Sequence, residues 1–135
     1  MHGYGTAPAS PHVPLATSLV HNLKTVRHRL RRLGDGIKMS GVRLGEHLSA
    51  GKLMRSRLVL AAAALGDSPH LEQAFRYALF VELVHAGALL HDDVMDASAV
   101  RRRRPTLWSR VGNRAAVLAG AALIARAGGA LAEAP

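Results

Sequence analysis

The segment VELVHAGALLHDDVMD, residues 81–96, decides the fold. Its apolar residues recur at helical spacing, it holds no Pro, and it lies inside a longer pattern running from about Leu71 to Ala97. A helix advances about 100° per residue, so with Asp92 at zero, His85 falls near 20°, Asp96 near 40° and Glu82 near 80°. These polar groups share one stripe on a segment otherwise filled with Phe, Val, Leu, Ala and Gly. Carboxylates at i,i+4 repel each other, Asp93 adds to the repulsion, and the C-terminal end of a helix opposes negative charge. A sequence that carries this cost points to a cation that offsets it. Oxygen ligands on a firm scaffold suit Mg²⁺, which commonly bridges to a substrate phosphate. The plain alternative is a solvated acidic patch beside core histidines. His91, about 100° from Asp92, lies off the stripe and reads as packing or support rather than as a ligand.

Just downstream stands Arg101-Arg102-Arg103-Arg104-Pro105, five residues past Asp96 at its first Arg. Alone, such a run is a solvated face or a nucleic-acid patch. Beside the aspartates, its guanidinium groups are within reach of a metal-held phosphate, which Arg contacts in bidentate fashion. A further helix is expected over about 108–128.

Upstream, residues 52–66 read as a helix closed by the turn GDSP at 66–69, and its start carries AGKLMRSR, residues 50–57. Gly51 permits close backbone approach, free N–H groups at a helix start attract anions, and Lys52 and Arg55 share a face. It is not a Walker A loop, because five residues separate Gly45 from Gly51 and Leu53 stands where Ser or Thr is required. An ordinary basic first turn is the alternative. A glycine-punctuated connection precedes it. Before that, Leu15, Leu19, Leu23, Val26, Leu30 and Leu33 mark an amphipathic helix over 13–33, its outer face basic through Arg27, Arg29, Arg31 and Arg32. Residues 1–12, rich in Gly, Pro and His, read as a mobile lead-in to a domain over 13–135. No stretch alternates as a strand does. The fold class is all-α, a partial bundle of about four helices.

Composition narrows the partners. The net charge is +9, from 18 basic and 9 acidic residues, which favours an anionic ligand. Aromatic residues are only 4%, and none interleaves the Arg run, so a base-stacking platform is lacking. Cysteine is absent, which excludes disulfides and thiolate metal sites and fits a reducing cytoplasm. No start resembling a secretory signal is present, and the apolar runs at 58–65 and 116–125 are shorter than the roughly 20 residues of a membrane span. A soluble chain without stable membrane insertion is expected. Two basic groups around one carboxylate stripe imply two phosphorylated ligands, one of them held through metal.

These motifs resemble the trans-isoprenyl diphosphate synthases, or polyprenyl synthetases, over roughly residues 40–127. Gly51-Lys52-x-x-Arg55 resembles the family's GKxxRP, and Asp92-Asp93-Val94-Met95-Asp96 is its first aspartate-rich motif, DDxxD. RRRRPT is similar to its RRGKPT, and GNRAAVLAGAALIARA (112–127) to its GNxxAVLAGDxLLA. The resemblance implies a prenyltransferase that condenses isopentenyl diphosphate with an allylic diphosphate in isoprenoid biosynthesis. Asp92 and Asp96 would hold Mg²⁺ on the allylic diphosphate, with Arg101 touching that group. Lys52, Arg55, His85 and Arg102 would hold isopentenyl diphosphate. Gly87 and Ala88, one turn before the motif, stand where the family limits product length, and are small. A homo- or hetero-oligomer stays open.

Four positions depart from the pattern: Ala50, Ser56 for Pro, Arg103 for Gly, and Ala121 for Asp. The second aspartate-rich motif is missing, so a truncated domain that runs no reaction alone is the expectation. A non-catalytic diphosphate-binding or assembly subunit is the main alternative. An HD-type phosphohydrolase built on His91-Asp92 with His47 or His70, and a nucleic-acid binder, are weaker ones.

Overall fold

The computed structural model describes residues 15–39, 41–65 and 71–132. The lead-in at 1–12, the turn at 66–69 and His70 lie outside them. Within the described residues the chain forms α1 (Leu15–Asp35), α2 (Leu44–Ser49), α3 (Met54–Ala64), α4 (Leu71–Met95), a small hairpin of β1 (Val100–Arg101) and β2 (Arg104–Pro105), α5 (Leu107–Val111) and α6 (Asn113–Ala132).

The expected all-α bundle is present, with four long helices near the expected positions and two short ones that the pattern did not show. Helix α2 sits inside the glycine-punctuated connection. Its six residues are too few for a period to register, and it is held by burial of Leu44 and Leu48. The helix expected over 108–128 is broken at Gly112, whose φ of 84° lies in the left-handed region that glycine tolerates. The break leaves α5 before it and α6 after it.

The core follows the apolar spacing. Val26 and Leu30 of α1, Leu83 of α4 and Leu123 of α6 are fully buried. Each such side chain contributes about 1.5–3 kcal/mol on burial. Helices α4 and α6 pack closely at Gly87, where an added Cβ would stand 2.7 Å from the Gly120 carbonyl oxygen. The tightness follows from two residues without side chains facing each other. Helices α1 and α2 meet in the same way at Gly34 and Gly45.

Helix ends are tied by arginines from other elements. Arg126 of α6 donates to the carbonyls of Leu33 (2.7 Å) and Gly36 (3.0 Å) at the end of α1, where unpaired carbonyls favour a cation. Arg27 of α1 donates to the carbonyls of Ser49 and Gly51, closing α2 and fixing the glycine loop. Arg29 grips Glu72 with both terminal nitrogens, at 2.6 and 2.9 Å, and lies over the Phe75 ring. Within the expected basic outer face of α1, Arg27 and Arg29 join the helix to its neighbours.

The apolar run at 116–125 is short, but helix α6 has 20 residues and an 18-residue window of mean hydropathy 1.7, long and apolar enough to cross a membrane by length and composition. It is the one such helix among the described residues, and its buried side packs on α4.

Candidate diphosphate site

Helix α4 carries the site. Its C-terminal end presents Asp92 and, in the turn just beyond, Asp96, whose backbone N–H donates to the Asp92 carbonyl at 2.8 Å. That bond keeps the two acids one turn apart, as their spacing predicts. Both are exposed. The apolar setting expected for the aspartate cluster belongs instead to Asp93, which is 5% exposed. The reason is rotational: one residue on from Asp92, about 100° around the helix, the chain turns inward toward the hairpin.

Asp93 Oδ1 accepts from Arg101 Nε at 2.6 Å. Its backbone carbonyl takes the N–H of Ser98 at 3.0 Å, so Asp93 holds both the helix end and the first hairpin strand. Thr106 and Trp108 close the base of the hairpin: Thr106 donates its N–H (3.0 Å) and hydroxyl (3.2 Å) to the Ala99 carbonyl, and Trp108 donates Nε1–H to that of Ser98 at 2.8 Å. At the tip, Arg102 and Arg103 have φ of 49° and 63°. Two left-handed residues match the two-residue turn that the twist of a hairpin prefers, a position suited to Asn or Gly rather than Arg. Each costs about 1–2 kcal/mol relative to its relaxed conformation. Arg102, Arg103 and Arg104 are exposed.

The other basic group opens α3. Leu53 caps that helix with φ 51° and is buried, its side chain fixing the strained backbone in the core. Lys52 and Arg55 flank it, exposed. The first turn of α3 is held by Glu82 of α4, whose Oε1 accepts the backbone N–H of Ser56 at 3.2 Å and lies 3.3 Å from its hydroxyl. Glu82, expected on the aspartate stripe, therefore turns to α3 instead.

His85 stands between the two basic groups. Desolvation holds its pKa below the ordinary histidine value, Arg55 pushes it lower, Glu82 opposes, and Arg102 and Arg101 add to the lowering. Arg55 on α3 and Arg101 and Arg102 on the hairpin thus act on one imidazole. His47 of α2 is likewise held low, by desolvation first and by Arg104 and Arg110, while Asp93 draws it up.

The remaining candidates are placed as follows. Gly87 is buried against Gly120 and Ile124 of α6, and Ala88 is exposed. His91 Nε2 lies 3.0 Å from the Val117 carbonyl, a packing bond between α4 and α6. Among the described residues no three His, Cys, Asp or Glu side chains are grouped to hold a metal; His70, a candidate ligand in the HD-type reading, lies outside them. Asp93 and Arg27 were the site-shaping residues that the pattern hid. The signal for Asp93 was the inward step from Asp92, whereas nothing local marked Arg27.

Residues 43–135 match the model of the polyprenyl synthetases. The chain belongs to the polyprenyl synthetase family. It is similar to a geranylgeranyl diphosphate synthase of Mycobacterium tuberculosis, 50% identical over 84 residues that cover 58% of this chain and 22% of that protein. It is also similar to heptaprenyl diphosphate synthase component 2 of Geobacillus stearothermophilus, at 41% identity over 58% of this chain and 24% of that one. A crystal structure of a decaprenyl diphosphate synthase from Rhodobacter capsulatus shares the fold, with a TM-score of 0.63 and 32% identity over 90% of this chain and 38% of its own. The chain therefore spans about a quarter of the length of such curated synthases.

Proposed function

We propose that this polyprenyl synthetase chain binds an allylic prenyl diphosphate and isopentenyl diphosphate, as part of a prenyl-transferring assembly. The observation that carries the reading is the basic hairpin tied to the acidic end of α4, where Arg101 is held on Asp93 at 2.6 Å while Asp92 and Asp96, one turn apart, stay exposed. The three arginines that act on His85 are cationic and His85 can become so, and Asp92 and Asp96 at the end of the same helix are exposed and free to meet a cation.

Asp92 and Asp96 fit Mg²⁺. They offer two oxygen donors one turn apart, and Mg²⁺ commonly takes one or two carboxylates, with phosphate oxygens and water completing its shell. Bound there, Mg²⁺ would neutralise negative charge on the diphosphate of the allylic substrate. The chain's own residues orient and charge-match the ligands. Arg101 faces the allylic diphosphate, while Lys52, Arg55, His85 and Arg102 hold that of isopentenyl diphosphate. As the allylic C1–O bond breaks, the electron pair leaves with the diphosphate, and these guanidinium groups stabilise the charge that builds there. The second substrate's double bond then attacks C1, and a proton is lost. Of the two residues expected to limit product length, Gly87 packs against Gly120 and Ile124 of α6 and leaves no room for a chain there, while Ala88 is small and exposed one turn below the acids. Two carboxylates are a sparse metal set, so the chain is expected to bind without turning over alone.

A second reading, a diphosphate-binding subunit that works beside another chain, is favoured by the similarity to a protein named as component 2 of a synthase. Binding without turnover even after a complete partner is added would single out this second reading. Purified chain with isopentenyl diphosphate, Mg²⁺ and allylic diphosphates of increasing length is expected to give no prenyl product by mass spectrometry. A product would make the chain a synthase in its own right.

A further inference from the structure

We propose that the adjacent acids of the aspartate-rich segment divide their work, with Asp92 facing cation and solvent and Asp93 acting as the positioning residue that aims Arg101 at a phosphate. Three observations carry this. Asp93 is 5% exposed and Asp92 is exposed, so neighbours in sequence occupy different media. The Asp93–Arg101 contact is 2.6 Å and uses Nε. Among the described residues no acceptor engages the two terminal nitrogens of Arg101, which remain for an anion while Nε is held. A guanidinium clamped at Nε keeps a planar pair of N–H groups, suited to bidentate phosphate contact.

The hairpin supports the assignment. Asp93 holds β1 by side chain and by backbone, and the strained pair Arg102–Arg103 follows at the tip. Strain of this kind persists where surrounding contacts over-determine the backbone, and the Asp93 anchor supplies such contacts. The inference rests on the proposed diphosphate binding, yet it concerns a step that needs no metal.

The test is calorimetric binding of inorganic pyrophosphate to the full chain, with and without Mg²⁺, for the wild type, Asp93→Asn, Arg101→Lys and the double variant. Asp93→Asn is expected to weaken metal-free binding about tenfold, the scale of one charge-assisted hydrogen bond, while the fold-gain from adding Mg²⁺ is retained. Arg101→Lys is expected to cause a similar loss, and the double variant no further one. Loss of the Mg²⁺ gain in Asp93→Asn would make Asp93 a metal ligand and overturn the proposal. So would wild-type affinity in that variant, or additive losses in the double. A wild type that binds no pyrophosphate under either condition contradicts the functional reading itself, a different outcome. Should Asp93→Asn not fold, nitrogen-15 spectra of the wild-type arginines decide: a protected, slowly exchanging Arg101 Nε–H supports the clamp, and a freely exchanging one refutes it.

Discussion

Glu82 on α4 accepts the backbone N–H of Ser56 on α3 at 3.2 Å, so one helix caps the first turn of another. The Ser56 side chain is fully buried and its hydroxyl also lies 3.3 Å from the Ala78 carbonyl. Leu53, the residue at the cap position itself, offers no side-chain acceptor. Replacing Glu82 by Ala leaves the buried Ser56 N–H without its partner. The expected loss is about 1–3 kcal/mol, the cost of an unsatisfied buried donor. Urea unfolding of Glu82→Ala checks this, and a midpoint equal to that of the wild type would show that α3 needs no such cap.

Arg103 gives a gain instead of a loss. Its φ of 63° suits glycine, so Arg103→Gly relieves strain while adding some entropy to the unfolded chain. The two effects leave a net stabilisation of about 0.5–1 kcal/mol. Thermal unfolding should show a raised midpoint; a lowered one would mean that the Arg103 side chain holds the hairpin.

Gly87 is predicted to resist even a methyl group. An added Cβ would meet the Gly120 carbonyl oxygen at 2.7 Å and Ile124 at the same distance. Overpacking of this kind costs about 1–3 kcal/mol, more than the gain in helix propensity from Gly to Ala. Gly87→Ala should lower the urea midpoint. If it raises it, the α4–α6 contact is looser than the geometry implies.

His85 gives the site a pH signature. In the free chain its pKa lies below the ordinary 6.5, because of desolvation and the charges of Arg55, Arg102 and Arg101 against that of Glu82. As pH falls through 6.5 the unfolded chain takes the proton first, so this histidine makes stability fall on the acid side. A bound diphosphate reverses the balance by favouring the imidazolium. Pyrophosphate binding near pH 6 should therefore take up a proton, read from the buffer dependence of the binding heat, and His85→Gln should take up less. Equal uptake in both would place the proton on the ligand rather than on His85.

Much of the fold was legible because it rests on local period. Leu23, Val26 and Leu30 are spaced as one helix face requires and are buried as one face. The spacing of the candidate acids was legible too: Asp92 and Asp96 stand one turn apart, as an i,i+4 pair on a helix requires. What escaped was set by tertiary contact. Helix α2 is too short to show a period, and the hairpin has two residues on each strand. The roles of Asp93, Glu82 and Arg27 depend on partners 8, 26 and 22–24 residues away in the chain. No spacing rule encodes the direction in which a side chain turns when two elements compete for it.

The most direct measurement is calorimetric binding of farnesyl diphosphate with Mg²⁺ to the wild-type chain and to the variant carrying both Asp92→Ala and Asp96→Ala. Saturable, Mg²⁺-dependent binding in the wild type that is lost in the double variant is the expected result. Equal affinity in the two proteins would contradict the placement of the allylic diphosphate at the end of α4.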